Sequence, residues 1–142
     1  MKKYLWIVSL CLYFLAFNLP VYATTNGPAE VGQGFWMFVF GWMFSISELG
    51  LPQAWFANLF FIAALCTTRK FPITSTLLGM FSVLQALLFL TGGIIPLLNN
   101  RSGYENYLTE IHIGYWFWLG SMVVILIASV FRVIEKRKGI PS

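Results

Sequence analysis

The chain has 142 residues, of which 58% are hydrophobic and 10% charged, and its net charge is +4. Soluble domains average about 25% charged residues, so this composition belongs to the membrane class. With 14 Phe, 6 Trp and 6 Tyr beside so few charges, a water-soluble enzyme is excluded, because too little polar surface exists to cover one.

The amino-terminal segment has two readings. Lys2 and Lys3 precede an apolar stretch over 4–17, and Val21 and Ala23 occupy the small-residue positions that a signal peptidase reads, so a cleavable signal ending at Ala23 is expected. The same residues 1–23 also suit an uncleaved first transmembrane helix, since 4–22 is long enough to span. Either way, 24–50 is an exported segment that opens with a Gly- and Pro-containing loop.

Residues 35–47 are hydrophobic on every side, with Phe35, Trp36, Phe38, Phe40, Trp42 and Phe44. As a full span this run would be short, and it would carry Arg69 and Lys70 across the membrane. An interfacial or re-entrant aromatic helix is predicted instead. A strand would leave open edges that lipid does not tolerate.

Three further spans are predicted at 51–68, 72–91 and 111–131, followed by a cytoplasmic tail over 132–142. Gly92, Gly93 and Pro96 are expected to end the helix before them. The expected fold is all-α: a small antiparallel bundle of three or four transmembrane helices plus the aromatic helix, with 24–142 as one membrane domain. Placing Lys and Arg inside puts the amino terminus, the Arg69–Lys70 turn and the carboxyl tail in the cytoplasm. Only Arg101 of the nine basic residues is then outside, together with Glu30, Glu48, Glu105 and Glu110. The expected location is a bacterial inner membrane. The basic clusters flank apolar runs, which points to anionic lipid head groups and away from nucleic acid.

Polar residues within spans need partners. Asn58 lies six residues from Pro52, and Gln85 six from Thr91, so antiparallel packing would bring both to a depth of about 9 Å. An interhelical hydrogen bond between them is expected, and a polar substrate path is the alternative use. Small residues such as Ser75, Gly79, Gly114, Gly120, Ser121 and Ser129 permit close helix approach. Tyr115, Trp116, Phe117 and Trp118 read as an anchor belt at the exported interface.

No Asp, Glu, Lys or Arg falls at the middle of a span, which weighs against ion-coupled transport. Cys11 and Cys66 sit at different depths outside the oxidising compartment and read as small buried hydrophobes. The single His112 rules out a multi-histidine metal or haem site within one chain. With Glu110 and Glu48 it forms a candidate exported-face interaction site, although residues two apart do not face each other on a helix. No phosphate loop, HExxH motif or nucleophile elbow is present. No catalytic residue, cofactor or metal is therefore expected. The expected role is non-enzymatic: an accessory, modulator or immunity-type protein that binds a partner in the membrane, either another membrane protein or further copies of itself. The alternative is an oligomeric small transporter or channel component.

Overall fold

The computed structural model describes residues 4–24, 28, 30–31, 33–47, 55–91, 98–99, 105–106 and 108–138. Most of these are helical, in α1 (Leu5–Asn18), α2 (Gln33–Ser47), α3 (Phe56–Thr67), α4 (Pro72–Thr91) and α5 (Ile113–Arg137). Four short strands accompany them: β1 (Tyr22–Thr24), β2 (Leu98–Asn99), β3 (Glu105–Asn106) and β4 (Leu108–Ile111). β1 pairs antiparallel with β4, Ala23 lying opposite Glu110, and β2 pairs antiparallel with β3.

Pro72 opens α4 at the position where its fixed φ suits the helix and its missing N–H is not needed. Lys136 and Arg137 lie in the last turn of α5, where cations meet the negative end of the helix dipole. α4 over Pro72–Leu90 and α5 are, among the described residues, the two helices long and apolar enough to cross a membrane by length and composition. α1 and α3 are apolar helices of 14 and 12 residues.

Four helices pack antiparallel to their neighbours in the order α1, α5, α4, α3. The register between α3 and α4 is set by Ser82 donating to Ala57 O at 2.9 Å and by Ser75 donating to Ala64 O at 2.7 Å. α4 meets α5 through the Ser75–Ser129 hydroxyl pair and through Tyr115, which donates to Ala86 O. α1 meets α5 through Ser9, which donates to Ser121 O at 2.7 Å, and through Gly114 N donating to Pro20 O at 2.9 Å. Tyr13 closes the ring by reaching across to α3, its ring stacked on Phe61 with centroids 4.5 Å apart. One end of the bundle therefore carries β1 and β4, here termed the ribbon end. The other carries Arg69, Lys70 and the end of α5, here termed the basic end.

The main core contains Tyr13, Phe61, Met122 and Ile125 with Ala57, Ala86 and Ala128. A second cluster of Val21, Phe89 and Tyr115 lies toward the ribbon. α2 lies across α1 at Gly34, where an added Cβ would overlap Ala16 O. Phe38 meets the rings of Tyr13 and Phe17, and Trp55 Nε1 donates to Phe38 O at 3.0 Å.

Several expectations change. The last helix begins at Ile113, two residues later than expected, and runs six residues past 131, so Arg132 to Arg137 are helical. Arg, Ile, Glu and Lys tolerate or favour helix, and nothing in that stretch breaks one. Residues 22–24 and 108–111 form a two-stranded ribbon where a loop and a helix start were expected. Cys11 and Cys66 are exposed, not buried: α1 turns Ser9, Tyr13 and Ala16 inward, and α3 turns Ala57, Asn58, Phe61 and Ala64 inward. Gly120 has open space around it, whereas Gly79 packs against Leu126 and Gly114 against Pro20. Glu48 and the expected helix end at Gly92, Gly93 and Pro96 lie outside the described residues.

Candidate functional site

The bundle interior holds a line of polar side chains running from end to end. Near the ribbon end, Tyr115 is fully buried and donates to Ala86 O at 3.0 Å. Asn58, also buried, accepts at Oδ1 from Tyr13 OH at 2.9 Å and from Trp118 Nε1 at 2.8 Å. One amide oxygen thereby ties α1, α3 and α5 together. Further along lie Ser9, Ser82 and Ser121, each bonded to a backbone carbonyl. Near the basic end, Thr68, Ser75 and Ser129 form a chain of hydroxyls at 2.8 and 2.6 Å, anchored on Ala64 O and Ile125 O. Among the described residues, the buried side chains of this line are Ser, Thr, Asn and Tyr, with none charged.

The expected hydrogen bond between Asn58 and Gln85 is replaced by this arrangement. The α3–α4 register leaves Gln85 about one turn, ~5.4 Å, nearer the ribbon end than Asn58. Asn58 faces the α1–α5 seam, while Gln85 Oε1 is buried with no hydrogen-bond partner. Sequence reasoning missed Tyr13, Trp118 and the serines as the partners that matter. One usable signal was Ser75 and Ser82, seven apart on α4 and so on one face.

At the ribbon end, Glu110 and His112 do meet. Both lie on extended backbone, His112 having φ −100° and ψ 173°, and residues two apart on a strand share a face. Glu110 Oε2 and His112 Nε2 are 3.7 Å apart, with side-chain exposures of 72% and 33%. Such an exposed pair contributes little to stability, so its chemical capacity is to present a carboxylate beside an imidazole on the surface. Gln33 Oε1 accepts from both Val21 N and Tyr22 N at 3.1 Å, and His112 N donates to Val21 O at 2.9 Å. Beside the ribbon, Phe35, Trp36 and Phe40 of α2 are exposed, and Trp36 stacks on Phe40 at 5.4 Å.

At the basic end the Arg69 guanidinium lies 5.4 Å from the centre of the Trp6 ring, joining the α3–α4 turn to α1 by a cation–π contact. Among the described residues, no group of three or more His, Cys, Asp or Glu side chains is placed to hold a metal ion. Comparison with protein-family models, with curated proteins and with solved structures finds no match to this chain.

Proposed function

We propose that the chain is a multi-pass inner-membrane protein that binds a partner within the bilayer and at its exported face, without catalysing a reaction. The observation that carries this reading is an apolar outer face around helix contacts made by small polar residues. Outward positions hold large apolar side chains, including Phe14, Ile62, Leu77, Phe81, Leu84 and Ile127, while Ser9, Asn58, Ser75, Ser82, Ser121 and Ser129 lie buried beside the apolar core. Lipid offers no hydrophobic drive between helices, so small and hydrogen-bonding residues collect at helix contacts.

The ribbon supports the same reading. Extended backbone at membrane depth is tolerated where protein satisfies it, and Gln33, His112 and Gly114 satisfy Pro20, Val21 and Tyr22. The clustering of Arg69, Lys70, Arg132, Lys136, Arg137 and Lys138 at one end favours that end, with the carboxyl terminus, as cytoplasmic.

A binding role draws on two features. Apart from Gln85 Oε1, the interior polar groups are engaged with one another and with helix carbonyls, so they act as cross-links between helices. The ribbon end presents Glu110 and His112 beside the aromatic face of α2, on the side assigned to the exported surface. An immunity-type or modulator protein is one form of such a binder. The transporter or channel alternative rests on Gln85, whose free carbonyl oxygen could belong to a polar path.

A photo-crosslinking residue in place of Trp36, with one in place of Leu77 as control, distinguishes these. A discrete adduct with one defined membrane protein at Trp36 and none at Leu77 supports the binding role. Selective flux through liposomes holding the purified chain, with no adduct at either position, contradicts it.

A further inference from the structure

We infer that residues 1–23 stay in the mature protein, with α1 a permanent helix of the bundle and the Ala23–Thr24 bond intact. This goes beyond the binding role and does not depend on it. The segment carries the outward marks of a removable signal, yet it supplies contacts that other helices cannot replace.

Ser9 is fully buried on Ser121 O, and Tyr13 is buried between Phe61 and Phe38 with its hydroxyl on Asn58. Loss of α1 would expose the face of α5 around Ser121, Ile125 and Ala128 and take Tyr13 out of the main core. It would also remove the backbone acceptors Pro20 O and Val21 O from Gly114 N and His112 N. A signal segment whose only task is targeting needs a uniformly apolar stretch. Here two buried polar side chains within that stretch are matched to atoms more than 40 residues away in sequence, Tyr13 to Asn58 and Ser9 to Ser121.

The scissile position points the same way. Ala23 is opposite Glu110 and Thr24 opposite Leu108 in the β1–β4 ribbon. Proteolytic cuts concentrate at exposed, unpaired loop tips, and this bond lies in the β1–β4 ribbon, with both its residues paired on either side of a register shift. Gly114 is part of the same junction: a Cβ there would sit 2.6 Å from Pro20 O, so the start of α5 is shaped to receive the chain between α1 and β1.

The test uses the full chain without an amino-terminal tag, expressed in a bacterium with its own signal peptidase and purified from the membrane. Intact-mass analysis and amino-terminal sequencing are expected to find the Tyr4–Tyr22 segment still attached; a chain that begins at Thr24 overturns the inference. The second readout is the unfolding midpoint in mild detergent. Tyr13→Phe is expected to lower it by roughly 2–4 °C through loss of one buried hydrogen bond, and Tyr13→Ala to lower it further. Midpoints unchanged by both substitutions would mean that α1 is absent from the folded protein, and the inference would fall.

Discussion

Asn58 and Gln85 look alike in the sequence, each a lone amide in an apolar run, and the structure gives them opposite weights. Asn58 Oδ1 takes two hydrogen bonds from two helices, whereas Gln85 Oε1 takes none. Asn58→Leu is therefore expected to destabilise the bundle by about 1–3 kcal/mol, since Tyr13 OH and Trp118 Nε1 lose their shared acceptor. Gln85→Leu is expected to leave stability unchanged or to raise it by up to about 1–3 kcal/mol, since it removes a buried oxygen that has no hydrogen-bond partner. Equilibrium unfolding in detergent checks the pair, and equal losses would contradict the assignment. Depth could be counted along the sequence, but rotation about the helix axis could not. α1 and α3 are apolar on all sides, so nothing in their pattern says which way Asn58, Cys11 or Cys66 points. Glu110 and His112 were legible as candidate site residues, but their meeting at 3.7 Å was not, for a related reason. Their spacing was judged on a helix, and the backbone there is extended.

At the scale of elements, the long apolar runs were the most legible part. The span 72–91 matches α4 at both ends because Pro72 marks its start, and the aromatic run at 35–47 lies within α2. The ribbon was not legible: β1 and β4 are 3 and 4 residues long, and their pairing joins segments at opposite ends of the sequence. Glycines in α5 then separate packing from spacing. Gly114→Ala is expected to cost about 1–3 kcal/mol, because the new methyl meets Pro20 O at a distance real side chains avoid. Gly120→Ala, with open space around it, is expected to gain about 0.5–1 kcal/mol from helix propensity. A loss at Gly120 as large as at Gly114 would mean that this face of α5 is covered. Gly34→Val is expected to lift α2 from α1, since the obstruction is the Ala16 carbonyl and cannot rotate away. Faster amide exchange over 33–40 in the variant, with α4 unchanged, is the expected signature.

For the molecule as a whole, the sorted charges and the apolar outer face support the proposed placement, in a bilayer with the basic end in the cytoplasm and the ribbon end outside. The exposed thiols give a first check. Cys11 and Cys66 face outward on apolar helices, so lipid should shield Cys11 from a membrane-impermeant maleimide in intact membranes. Rapid labelling there would indicate a surface open to water. Orientation is read most directly from single cysteines placed at the two ends in a chain whose native cysteines are replaced by Ala. Glu110→Cys is predicted to react with the impermeant reagent on intact cells freed of their outer membrane, and Lys70→Cys only after the inner membrane is permeabilised. Labelling of Lys70→Cys before permeabilisation, or release of the protein from membranes by alkaline carbonate, would contradict the account.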